Sequence, residues 1–335
     1  MNARACAVIL AVTVLVLGGC TRQTREVVVY TSVDQVVSEP ILRDFEKQSG
    51  LAVRAVFDTE ETKSTGVLNR LVAEGAHPQA DVFWSGDPVR PFVLIKRGLV
   101  APYDSPNAAG IPSTFRASDG TWTGFAARVR VLLVNKNRVP ASATPRSIRD
   151  LADPRWKGMT AIANPLFGTT TMHVAALFAT WGEEQGRAFL QALKDNQTRI
   201  ASSNGEVKRL VASGEVAFGV ADTDDAQEAL ADHAPIEGVF PDQDGIGTLV
   251  MPTTVSLMRG APHADAGKKL IDHLLTPEVE RRLAEAAAHV PLRAGVQTPA
   301  GIKRSEDFKA MHVDYARVAD EMERMQPWLK SWVGL

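Results

Sequence analysis

The densest group of side chains able to do chemistry is Asp222-Thr223-Asp224-Asp225, just past a short apolar run at 216–220. Carboxylates this close repel one another unless something positive comes between them. A hard cation takes several oxygen ligands, so Asp222, Asp224 and Asp225 with Asp34 and Asp87 form a candidate cation site. Aspartate at a helix start also accepts the free N–H groups there, and one of the three is expected to act as a cap. The opposite chemistry is offered by Gly168-Thr169-Thr170-Thr171 and by Thr62-Lys63-Ser64-Thr65, each leading into an apolar helical run. Exposed N–H groups, hydroxyls and a lysine make an anion site, and capping alone requires one threonine at each place. Arg128 could clamp a phosphate or carboxylate through two donors, or could be an exposed strand arginine. Ser32, after the first strand, and Thr223, among the aspartates, complete the polar set. Trp84 and Phe167 stand at strand ends beside these loops, where an aromatic ring either stacks on an organic ligand or joins the core. His173 lies alone on a helix, and His77, His233 and His263 lie in loops without metal-ligand spacing.

These residues need elements to hold them. Val27-Val28-Val29-Tyr30 reads as a buried strand, and Ile41, Leu42 and Phe45 recur at helical spacing before Gly50 stops the run. A second strand begins near Leu51 and Val53. Strand and helix then alternate down the chain: helix 67–72, strand 80–84, helix 89–96, helix 183–193, strand 216–220, helices 264–275 and 277–288, and an amphipathic tail helix over 308–332. Such alternation predicts largely parallel sheets with ligand loops at the carboxyl ends of the strands. Two long extended runs, 125–134 and 248–257, divide the chain into three parts. Two crossings of that kind make two lobes joined by a hinge.

Charge and cysteines narrow the field. The chain has 335 residues and a formal net charge of −2, with no basic excess for nucleic acid and no acidic tail. Residues 1–19 carry Arg4 and an apolar stretch at 7–17, a secretory signal too short to span a bilayer. Leu17-Gly18-Gly19-Cys20 resembles the bacterial lipobox, which makes Cys20 the lipidated first residue and 20–26 a tether. Cys6 falls in the removed part, so no internal disulfide is expected. Asp222-Thr223-Asp224 after a strand has a superficial likeness to the aspartyl nucleophile motif of haloacid-dehalogenase phosphatases. That motif normally sits in the first strand, and Ala226 occupies a position where it carries threonine or valine. With no Gly-x-Ser-x-Gly, P-loop or Cys–His pairing either, no enzyme activity is expected.

Tyr30-Thr31-Ser32, the helix ending at Gly50, Ala80-Asp81-Val82-Phe83-Trp84, Trp156-Lys157-Gly158 and the stretch 270–280 together resemble the extracellular solute-binding proteins of ABC importers, in the branch associated with ferric iron. The resemblance covers nearly all of the mature chain. It implies an α/β, type II periplasmic-binding-protein fold: two lobes with mainly parallel sheets, joined by two crossover strands, shutting on a small solute that a membrane permease then receives. It implies an exported, monomeric protein at a bacterial membrane or in the periplasm, without a cofactor; a bound metal ion would be cargo. The expected lobes are 27–127 with 248–290, and 128–247 with 291–335. The family commonly holds iron through adjacent tyrosines after a second-lobe strand, a histidine in the first loop and a carboxylate in the third. Here Asp222-Thr223-Asp224-Asp225 stands where the tyrosines would be, Asp34 about where the histidine would be, and Asp87 can serve as the carboxylate. A phosphorylated sugar or phosphonate is therefore the alternative cargo to iron(III).

Overall fold

A computed structural model describes residues 25–58 and 65–334. Cys20 and its tether up to residue 24, and Thr62 and Lys63 of the expected anion loop, lie outside the described residues. The first lobe begins with β1 (Glu26–Thr31), α1 (Gln35–Ser49), β2 (Ala52–Phe57), α2 (Gly66–Ala73), β3 (Val82–Ser85), α3 (Arg90–Lys96) and the short β4 (Val100–Ala101). In α1 the apolar stripe Ile41, Leu42 and Phe45 is buried while Arg43 and Lys47 face water. Burial of each such side chain contributes about 1.5–3 kcal/mol. Gly50, at φ 67°, ends the helix by donating its N–H to Glu46 O, a left-handed cap that glycine adopts without a Cβ clash.

The long β5 (Thr123–Asn135) leads into β6 (Thr160–Ala163), α4 (Gly168–Trp181), α5 (Glu183–Asp195), β7 (Arg199–Ala201), α6 (Asn204–Ala212), β8 (Phe218–Asp222), α7 (Thr223–Ala231) and β9 (Ile236–Val239). The chain returns through β10 (Val250–Met258) to α8 (Ala264–Leu274) and α9 (Pro277–Ala287), and ends in α10 (Tyr315–Val333). β1 pairs in parallel with β2 and β3, and β6 in parallel with β7 and β8. The two crossing strands run antiparallel to each other and to their neighbours: β10 pairs β3, β4 and β5, and β5 pairs β8 and β9. β5 is thus hydrogen-bonded into both halves, to β10 over 123–129 and to β8 and β9 over 130–135, while β10 joins the first half through β3 and β4. One apolar core gathers Val27, Ile41, Trp84, Leu270 and Leu283, and another gathers Leu132, Phe178, Phe218 and Leu329.

The tail helix starts at Tyr315 rather than at 308. Thr248 exchanges backbone hydrogen bonds with Lys309 O (2.9 Å) and Met311 N (2.8 Å), which holds 309–311 extended, and Asp314 then caps α10. A third strip of chain also runs along β5. Ala127 and Val290 exchange both backbone hydrogen bonds, at 2.8 and 2.7 Å.

β5 bends where it meets this strip. Pro252 opposes Ala127 and Thr253 opposes Phe125, so Ala126 is the extra residue of a bulge, with φ 45°. The buried Glu280 carboxylate holds the kink by accepting from the N–H groups of Ala126 (3.2 Å), Leu292 (3.3 Å) and Arg293 (3.3 Å). A left-handed non-glycine residue stores on the order of 1 kcal/mol of strain. Ala126→Val should therefore lower the free energy of urea unfolding, while Ala126→Gly should change it by less than about 1 kcal/mol, because relief of the strain is offset by the lost buried methyl and the added chain entropy.

Candidate functional site

The site is built on an alternation. Arg128 and Arg130 are two apart on β5, so both side chains leave the same face of the strand. Arg130 has no exposed surface. Its Nη1 donates to Asp222 Oδ1 (2.6 Å), Thr169 Oγ1 (2.8 Å) and Asn204 Oδ1 (3.3 Å), and its Nη2 donates to Thr170 Oγ1 (3.2 Å). Asp222 Oδ2 in turn accepts from Thr169 Oγ1 (2.9 Å) and Asn204 Nδ2 (3.2 Å). β5, β8 and the heads of α4 and α6 are thereby fastened around one ion pair.

This network reassigns several expected ligands. The hydroxyls of Thr169 and Thr170 are turned inward on Arg130, so what the head of α4 still offers a ligand is its first-turn N–H groups, which have no acceptor within the helix. Gly168 opens that turn at φ 59°. Thr223 is occupied in accepting from Val129 N–H (3.2 Å), and Asp222 is the N-cap of α7, with Asp225 closing the capping box by accepting from Asp222 N–H (3.0 Å). Trp84 is not a stacking platform: it is fully buried, donates from Nε1 to Thr253 Oγ1 (2.8 Å) and packs against Phe125 at 5.8 Å. Its ring lies in the apolar core that gathers Ile41, Phe125 and Leu270, which leaves it no open face. Phe167, by contrast, is 64% exposed at the head of α4. His173 is buried, and burial followed by the charge of Arg130 pushes its pKa down to about 3, so it stays a neutral core imidazole.

Arg128 bridges the halves. Its Nη2 donates to Gly86 O (3.0 Å) from the loop after β3, and its Nη1 lies 3.6 Å from Asp222 Oδ2. Burial works against its charge, but Asp222, Asp224, Asp87 and Asp34 outweigh burial and hold its pKa above the ordinary arginine value. The first-lobe loops are tied to one another: Ser32 Oγ accepts from Gly86 N–H (3.0 Å), and Asp87 Oδ1 accepts from Val89 N–H (2.7 Å). The expected residues Ser32, Asp34, Asp87, Arg128, Asp222 and Asp224 are thus brought together, by hydrogen bonds or through the charge they place on Arg128.

The carboxylate cluster is tight but mostly engaged. One oxygen from each of Asp222, Asp224 and Asp225 lies within 4.8 Å of the others. Burial, then Asp222 and Asp224, pushes the Asp225 pKa up to about 7, and burial also raises that of Asp224. Asp224 Oδ1 is buried without a hydrogen-bond partner. None of the chain's three tyrosines is poised to ionise. Tyr30 and Tyr103 are pushed up to about 12 by burial and by their partners Glu74 and Asp272, and buried Tyr315 donates to Val250 O (2.8 Å) with its pKa also raised.

The sequence reading missed Arg130, Asn204 and His289. Arg-x-Arg within a long strand was a usable signal for Arg130, because period two puts it beside Arg128. Asn204 carried no local signal. Breaking a buried ion pair leaves an uncompensated charge, so Arg130→Met should cost about 3–5 kcal/mol of stability, while Arg130→Met with Asp222→Leu should recover most of it in thermal or urea unfolding.

By structure, the chain superimposes on apo ferric ion-binding protein A of Pasteurella haemolytica with a TM-score of 0.81 and 25% identity, over 92% of this chain and 98% of that one. By sequence, it is 28% identical to iron uptake protein A1 of Synechocystis sp. over 300 residues, covering 86% of this chain and 81% of that protein. It is 26% identical to the putative 2-aminoethylphosphonate-binding periplasmic protein of Salmonella typhimurium over 293 residues, covering 86% and 80% respectively. Residues 78–318 match the family model described as bacterial extracellular solute-binding protein. That match spans both crossing strands and every described cleft residue from Asp87 to Asp224, and the chain belongs to the bacterial extracellular solute-binding proteins.

Proposed function

We propose that this protein is the solute-capturing component of an ABC importer and that its cargo is a small organic molecule carrying a phosphonate or phosphate at one end and a hydrogen-bond donor, such as an ammonium or hydroxyl, at the other. The observation that carries this reading is the presence of both signs in one cleft. Arg128 and the first-turn N–H groups of α4 suit an anion, while Asp34, Asp87 and Asp224 suit a donor-bearing end. Similarity to a putative 2-aminoethylphosphonate-binding protein supports the same class. In this reading the lobes are 27–127 with 248–290, and 128–247 with 291–335, and they close on the solute about β5 and β10.

Iron(III) is the second reading, favoured by the three clustered aspartate oxygens and by similarity to an iron uptake protein. Against direct carboxylate ligation stands the engagement of both Asp222 oxygens and of one Asp225 oxygen, which leaves that cluster few of the several oxygens a hard cation takes. Catalysis by Asp222 is disfavoured for the same reason, since a carboxylate locked to Arg130, Thr169 and Asn204 is a poor nucleophile. Titration calorimetry with 2-aminoethylphosphonate, inorganic phosphate and ferric citrate tests the cargo class. Tight binding of the phosphonate, at least about tenfold weakened by Arg128→Gln, is the expected result. Binding of ferric citrate alone would favour the metal reading.

The family is extracellular, and among the described residues no helix is long and apolar enough to cross a membrane. We place the protein at a membrane surface through lipid on Cys20. Cys20→Ala should move it from the membrane fraction to the soluble fraction; a variant that stays with the membrane would put the anchor elsewhere.

A further inference from the structure

His289 belongs to the cleft, although no motif pointed to it. It follows α9 at a turn made by Ala288, which sits in the left-handed region at φ 53°. The next residue, Val290, is locked to Ala127 by both backbone hydrogen bonds, so the imidazole enters beside Arg128, the neighbour of Ala127 on β5. Only 8% of His289 is exposed, and its Nδ1 is buried with no hydrogen-bond partner. A buried polar atom left unpaired costs on the order of 1–3 kcal/mol, a penalty that a core position would normally avoid by pairing or by an apolar side chain. Beside Arg128, the groups close enough to act on the ring electrostatically are Asp34, at the head of α1, and Asp222, at the end of β8. The imidazole therefore faces residues of both lobes, at the strip of chain that runs between them. A second buried atom, Oδ1 of Asp224, whose charge acts on Arg128, also lacks a partner.

We infer that His289 is a solute-contacting residue, a neutral imidazole that takes a hydrogen bond from the donor-bearing end of the cargo while Arg128 holds the anionic end. Burial first, and then the charge of Arg128, drive the pKa of His289 down to about 3, so at neutral pH the ring can accept a proton rather than repel an ammonium. A cargo donor that reaches the ring would satisfy its unpaired nitrogen, and a solute without that donor would leave it unpaired. This makes His289 a determinant of specificity more than of overall affinity. The inference deepens the functional reading above and rests on it for the class of cargo.

The test compares 2-aminoethylphosphonate with ethylphosphonate, which lacks the amino group, by calorimetry on the full mature chain. His289→Phe should weaken the first about tenfold and the second less than about twofold, with His289→Gln between, because glutamine retains an acceptor. The unliganded melting temperature of His289→Phe should not fall by more than a degree or two, since no existing hydrogen bond of the ring is lost. Equal losses for the two phosphonates, or no loss for either, would overturn the inference. Should the wild-type protein bind neither phosphonate, the cargo class is wrong and the role of His289 is decided separately, by the ¹⁵N resonances of its ring with and without gallium citrate, a diamagnetic stand-in for ferric citrate. A shift of the ring nitrogens on binding would keep His289 as a contact residue; unchanged resonances would remove it.

Discussion

A guanidinium with no access to water is tolerable only where oxygen atoms surround it, and Arg130 meets that condition by collecting Asp222, Thr169, Thr170 and Asn204. These partners come from the end of β8, the head of α4 and the head of α6, so the ion pair sets where three second-lobe elements stand relative to the crossing strand. Its Nε remains unpaired, and the pair is therefore better described as a positioning device than as a source of stability. With Asp222 fixed by Arg130, Arg128 is left to look outward, between Asp222 and the carbonyl of Gly86. One strand thus carries two arginines with different work: one locks the lobe, the other faces the cleft.

The hinge follows from the same strand. β5 is hydrogen-bonded to β10 on its first-lobe half and to β8 and β9 on its second-lobe half, so any change in the angle between the lobes must be taken up near Ala126 to Val129. That is where the bulge, the buried Glu280 carboxylate and the Val290 strip meet. Buried groups that grip backbone N–H atoms resist fraying at a bend while leaving the strand torsions on either side free to adjust. Arg128 lies two residues beyond this kink, so a solute held by it, as proposed, would sit against the strand beside the bend.

Alternating hydrophobic runs, two long extended stretches and helix stops such as Gly50 were enough to read two lobes and their crossings from the sequence, because strand and helix periodicities are set locally. The loops at the strand ends were legible for the same reason. The roles of individual side chains were less so. Threonines at the head of α4 and aspartates at the head of α7 do gather at the cleft, but the hydroxyls of Thr169 and Thr170 and the carboxylate of Asp222 turn inward on an arginine some forty to ninety residues away in the chain. Trp84 ends in the core because β5 packs Phe125 against its ring and β10, more than 160 residues further on, brings Thr253 to its Nε1. Asn204 and His289 gave no local pattern at all; only the tertiary arrangement brings them to Arg130 and Arg128.

The central claim is that the cleft recognises a solute with an anionic end and a donor-bearing end. Mass spectrometry of the solute released from protein purified without refolding, combined with metal analysis of the same sample, tests it most directly. A small phosphorylated or phosphonate-bearing organic molecule with an amino or hydroxyl group, released at close to one per chain, is the predicted result. A stoichiometric metal lost in Asp224→Asn but retained in Arg128→Gln, with no organic anion present, would contradict it.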